Sequence, residues 1–162
     1  LVAIEIGDDA VVGVIRFPAL DETVCAARGL GCRWNGRLVR VSDVAAIGEA
    51  TALLTEAARP GRVSAEYGTV PDGWNELAAR AAVVRTWGDC YGHALVATGR
   101  AEVMVDPRMA VWDCAALRPV IEEAGGVFTD LSGRPTHRGG SAISTNAALA
   151  DQARRLLAGR VP

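Results

Sequence analysis

The stretch Trp112-Asp113-Cys114-Ala115-Ala116-Leu117, followed after five residues by Glu123-Ala124-Gly125-Gly126, sets a single carboxylate where a strand hands over to a helix. The helix predicted from Asp113 to Ala124 then stops on paired glycines, the residues that most readily end a helix in the left-handed conformation. A strand before it and Val127-Phe128-Thr129 after it make one turn of a strand–helix alternation. The same alternation runs back to Trp74 and forward to Ala158. It predicts helices over 74–81, 89–98, 113–124 and 147–158, and strands over 83–85, 101–105, 127–129 and 141–144. Pro119 falls inside the third helix, where it removes one hydrogen bond and predicts a bend. Alternation at this spacing implies mainly parallel pairing through right-handed crossovers.

The first third has a different period. Residues 1–6 and 10–17 are strand-like, rich in Val and Ile, and meet at Gly7-Asp8-Asp9, a hairpin signal. A second short pair, 22–27 and 31–34, turns at Arg28-Gly29-Leu30-Gly31, and Asn35-Gly36 is a further tight turn. Residues 42–48 are a connector and 51–55 a strand, and Arg59-Pro60-Gly61 breaks the chain after that strand. The expected organisation is α/β with an α+β start. Residues 1–70 form an antiparallel β part, the incomplete remainder of an N-terminal sheet; residues 71–162 form a C-terminal α/β domain. The chain opens at Leu1 inside a strand-like run, which points to a fragment.

With 162 residues, half of them apolar, the chain can bury a substantial core. A net charge of −2 leaves no basic stripe for nucleic acid. No apolar run approaches the roughly 20 residues of a membrane span, and no signal peptide precedes the chain, so a cytoplasmic protein is expected. Cys25, Cys32, Cys90 and Cys114 lack zinc spacing and are too sparse for a disulfide scaffold, so buried thiols are expected. Cys25 and Cys32 could still approach across a hairpin. H-E-x-x-H, G-x-S-x-G and Walker A sequences are all absent.

In open parallel sheets ligands bind beyond the carboxyl ends of the strands, where helices present their N-termini. That rule puts Arg85, Asp89, Asp106 and Asp113 on one rim, a set that could hold a divalent cation and a phosphorylated polar ligand. Each has a plain structural reading beside it. Asp89 and Asp113 suit N-caps, worth about 1 kcal/mol each; Asp106, before Pro107, could begin a turn; Arg85 could be an exposed strand end. His93 reads as a packed helix residue and His137, in a Gly/Arg-rich loop, as solvated.

The Trp112-Asp113 block with Glu123-Ala124-Gly125-Gly126 resembles the C-terminal signature of the inositol monophosphatase superfamily, magnesium-dependent phosphomonoesterases. Val11-Val12-Gly13-Val14-Ile15, Gly31 to Gly36, Gly88-Asp89-Cys90 and Val96 to Arg100 extend the resemblance over essentially the whole chain. It implies a partial sandwich of that fold, with Asp113 as a Mg²⁺ ligand. Gly88, Asp89, Cys90 and Asp106 would be substrate contacts, with Arg85 a contact in some members. A small phosphorylated substrate and a homodimer of the complete protein are implied as well. Arg85 to Gly92 together with Ala101 to Asp106 is most similar to the bacterial histidinol-phosphatase branch. A carboxylate at Asp89 suits the ammonium or imidazole of histidinol phosphate better than a polyol; inositol phosphate or a nucleotide or sugar phosphate is the alternative. The family's upstream metal-binding Glu and its Asp-Pro-x-Asp-Gly-Thr motif do not occur in these 162 residues. The rival reading is therefore a non-catalytic module, or a subunit that completes its site with another chain.

Overall fold

A computed structural model describes residues 1–56 and 69–159. The break expected at Arg59-Pro60-Gly61 lies outside the described residues. The chain begins as an antiparallel meander of five strands: β1 (Val2–Ile6), β2 (Asp9–Phe17), β3 (Glu22–Ala27), β4 (Cys32–Trp34) and β5 (Arg37–Val39). The strand β5 goes beyond the sequence reading. It follows from Asn35-Gly36, both at positive φ, which turn the chain straight back on β4.

The second sheet contains β6 (Thr51–Leu54), β7 (Val83–Thr86), β8 (Val103–Asp106), β9 (Val127–Thr129) and β10 (Ala142–Thr145), in the order β7-β6-β8-β10-β9. Thus β6, although it precedes residue 70, lies between β7 and β8 in this sheet. Pairing is parallel across β7-β6-β8, but β10 joins β8 and β9 antiparallel, so the sheet is mixed. The alternation rule overreaches here because β9 and β10 are joined by a loop, residues 130–141, and not by a crossover helix.

Among the described residues four α-helices fill the layers: α1 (Trp74–Arg80), α2 (Cys90–Ala97), α3 (Val111–Glu123) and α4 (Ala150–Leu157). Alternate residues of the second sheet face opposite ways, and each face has its own core. Leu53, Met104 and Ala142 pack with α2 and α3 against Ile15, Val24, Ala26 and Cys32 of the first sheet. Ala52, Leu54, Val103, Val105 and Ile143 pack against Leu77 of α1 and Ala153, Leu156 and Leu157 of α4. The order of layers is sheet, α2 and α3, sheet, α1 and α4. Burial on both faces explains why β6 and β8 read as continuous apolar runs. On the outer face and edge of the first sheet, Val2, Ile4, Ile6 and Leu38 are each more than half exposed.

The glycine pair after α3 closes the helix by a Schellman arrangement. Gly126 N–H donates to the Ile121 carbonyl and Gly125 N–H to that of Glu122, with Gly125 at φ +82°. Glu123 acts elsewhere. Its carboxylate accepts the amides of Gly29 and Gly31, both at 2.8 Å, and clamps the β3–β4 turn onto the helix end. The Glu-Ala-Gly-Gly run is therefore a fold-holding element. Pro119 does not interrupt α3, which runs through it with the ring close to Gly13 of β2.

The thiols are free, as expected. Cys25 pairs with Arg33 and Cys32 with Ala26, which puts the two cysteines on opposite faces of the sheet and removes the hairpin disulfide as an option. Burial pushes the Cys32 and Cys114 thiols up to about 12.

His137 is not solvated. It is buried, with Nε2 at 2.5 Å from Glu5 Oε1, while Arg138 takes Oε2 of the same carboxylate. The 130–141 loop folds back on β1, which its composition does not announce. Asp130 organises that loop. Burial alone would raise its carboxyl, but the Ser132 hydroxyl and the Arg134 amide and guanidinium outweigh burial and hold it below the usual carboxylate value. A depressed folded value stabilises the chain above the unfolded value of about 3.9. That contribution disappears as pH falls through the lower, folded value. Urea unfolding from pH 5 downward should therefore show Asp130→Asn flattening the acid loss of stability; an unchanged slope would refute this.

Candidate active site

The carboxyl ends of the parallel strands β6 and β8 and the first turns of α2 and α3 enclose a cavity of about 420 Å³. Leu1, Thr55, Asp89, Cys90, Asp106, Arg108, Met109 and Asp113 line it. Four of the six expected site residues meet there: Asp89, Cys90, Asp106 and Asp113. Gly88 lies next to the lining, with Thr55 Cγ2 about 3.4 Å from where its Cβ would be. Arg85 does not line the cavity; it is exposed on edge strand β7, and its guanidinium donates to the Val84 carbonyl at 2.8 Å.

Neither acid at a helix start acts as a cap. Asp89 occupies the N-cap position of α2, yet its side chain makes no capping hydrogen bond. Asp113 is not at the cap at all, because α3 begins two residues earlier than expected, with Ala110 at the N-cap. Asp113 stands in the first turn, where the helix dipole favours its charge, and its carboxylate is left for the cavity. Asp106 ends β8 almost fully buried, at 3% exposure. Its Oδ2 accepts from His93 Nε2 at 3.0 Å. Burial also raises the Cys90 thiol, which leaves it a neutral, weakly polar wall.

The sequence reading misses Thr55, Arg108 and Met109. Thr55 was findable, since it directly follows the parallel strand β6 just as Asp106 ends β8. His93 is packed, as its helical position suggests, but it is packed onto Asp106. Nothing in sequence spacing announces that contact, which depends on the layering of α2 on β8. Gly92 permits the approach, for a Cβ there would come within 2.5 Å of Met104 Sδ.

Among the described residues no group of three or more His, Cys, Asp or Glu side chains is arranged to hold a metal ion. Magnesium requires near-octahedral oxygen coordination, and Asp106 has one oxygen committed to His93. The described acids thus provide at most part of a magnesium centre.

The model of the inositol monophosphatase family matches residues 1–161. The chain belongs to the inositol monophosphatase family. Among curated relatives, a histidinol-phosphatase of Chlorobaculum parvum is 45% identical over 137 residues, covering 83% of this chain and 50% of that protein. A histidinol-phosphatase of Mycobacterium tuberculosis is 38% identical over 149 residues, covering 87% and 54%. Among solved structures, an inositol monophosphatase from Anabaena superposes with a TM-score of 0.83 at 29% identity, covering 99% of this chain and 65% of that one. The chain spans about half the length of the curated relatives it matches. Among the described residues no helix is long and apolar enough to cross a membrane.

Proposed function

We propose that this chain is the substrate-binding share of a magnesium-dependent phosphomonoesterase whose substrate is histidinol phosphate. The observation that carries the substrate choice is Asp89. It is an exposed carboxylate at the cavity, unused as a cap, and therefore available to a cationic alcohol. The 45% identity to a histidinol-phosphatase supports the same branch. In this reading Asp89 and Asp106 orient the amino alcohol and Gly88 and Cys90 shape the wall beside it, while Arg85 stays outside. Asp113 contributes one oxygen ligand to magnesium, with the others coming from acids outside the described residues. When bound, the metal would supply Lewis-acid stabilisation of charge on the phosphate. The setting is the cytoplasm, as the sequence pattern suggests, and the complete protein is a homodimer, as the family resemblance implies.

Three experiments test the proposal. Purified, the 162-residue chain should release no phosphate from histidinol phosphate or inositol monophosphate in millimolar Mg²⁺; clear magnesium-dependent turnover would show that the chain's own residues suffice. An Asp-Pro-x-Asp-Gly-Thr codon run in frame upstream of Leu1 would supply the missing ligands, whereas a start codon at that boundary would favour the non-catalytic module. An enzyme restored with that motif should prefer histidinol phosphate to inositol monophosphate by at least tenfold in kcat/KM. The opposite preference would overturn the substrate assignment.

A further inference from the structure

His93 has no exposed surface and sits on α2, one turn after Asp89. Its ring spans three elements. Nδ1 lies 2.7 Å from Ser144 Oγ on β10, and Nε2 lies 3.0 Å from Asp106 Oδ2 at the end of β8. Ser144 is likewise fully buried. An ionised carboxylate only accepts hydrogen bonds, so Nε2 must carry a proton towards Asp106. When the ring is neutral, the Ser144 hydroxyl satisfies Nδ1 by donating to it, which holds the ring in that tautomer.

We infer that His93, oriented by Ser144, is a positioning residue that fixes the Asp106 carboxylate and its distance from the Asp89 wall. This rests on the reading that Asp106 contacts the substrate alcohol. With Oδ2 tied to the ring, the carboxylate cannot rotate, and Oδ1 is the oxygen left for a ligand. Because the ring is carried on α2, it also couples the helix that bears Asp89 and Cys90 to the strand that bears Asp106. The two polar walls of the cavity are thereby held at one spacing. A buried imidazole satisfied on both nitrogens by groups from two neighbouring strands is costly to assemble unless that geometry has a use.

The test is a set of variants in the restored enzyme, with melting curves measured beside steady-state kinetics. His93→Phe keeps the ring volume and loses both hydrogen bonds. It should lower kcat/KM for histidinol phosphate by roughly 10- to 100-fold, the scale on which small misplacements act, mainly through KM. The magnesium concentration needed for half activation should not move, because Asp113 is carried on α3. His93→Gln, whose Nε2 can still donate to Asp106, should recover most of the loss. Should His93→Phe fail to fold, Ser144→Ala decides: it keeps the ring but frees its tautomer, and should raise KM several-fold. A folded His93→Phe or Ser144→Ala enzyme within twofold of wild type, with Asp106→Ala severely impaired, would overturn the positioning role alone. An Asp106→Ala enzyme that works normally would remove the substrate contact itself, and the inference with it.

Discussion

Replacing Gly13 by alanine is expected to destabilise the fold by about 3 kcal/mol or more, at or beyond the upper end of ordinary overpacking. A Cβ at that position would lie 2.1 Å from the Ala116 carbonyl oxygen and 2.9 Å from Pro119 Cγ. The first obstacle is helix backbone, which cannot rotate aside as a side chain would, so α3 and β2 would have to separate. That contact seats α3 between the sheets, and α3 supplies Cys114, Leu117, Val120 and Ile121 to the shared core. In a chain of this size the loss corresponds to a melting temperature lower by about 6–12 °C. Gly48→Ala is the control, because the nearest atom to its Cβ, Arg80 O, is 3.9 Å away. A Gly13→Ala protein melting within a degree or two of wild type would show that the two elements separate freely.

The second large effect is a contrast between two acids of the cavity in the restored enzyme. Asp113→Asn should lower kcat by at least about 100-fold and weaken magnesium dependence, since loss of mere outer-shell partners of a metal costs 10- to 100-fold. Stability should fall only slightly, by the ~0.3–1 kcal/mol of a charge in the first helical turn, because the side chain caps nothing. Asp89→Ala should instead raise KM for histidinol phosphate about tenfold or more, the value of one charge-assisted contact of ~1.5–3 kcal/mol. Its effect on an uncharged polyol phosphate should be smaller. Equal losses on both substrates would make Asp89 a structural residue and remove the reason for preferring a cationic alcohol. An Asp113→Asn enzyme with normal kcat and normal magnesium response would remove that residue from the metal site.

The resemblance that runs through Asp113 and Glu123 to Gly126 was legible in the linear chain, and so was the convergence of Asp89, Asp106 and Asp113. The rim rule needs only the order of strands and helices, and that order is written in hydrophobic period and helix stops such as Gly99 and Gly125. Where the chain goes after a helix ends is not written there. Hence β10 entering between β8 and β9, and the fold-back of residues 130–141 that buries His137 against Glu5, were out of reach.

Local sequence by itself determined the elements, because turn chemistry and side-chain period act between near neighbours. It set the shape of the Asn35-Gly36 turn, the glycine stops of α2 and α3, and the hairpins of the meander. Only the tertiary structure decided where the polar groups end up and what they meet. Glu123 became a clamp on Gly29 and Gly31, Arg85 was left outside the cavity, and His93 was turned onto Asp106. The physical reason is that a buried polar atom must find a partner. For His93 and Glu123 those partners lie on strands and turns 13 to 94 residues away, brought near by the stacking of α2 and α3 between two sheets.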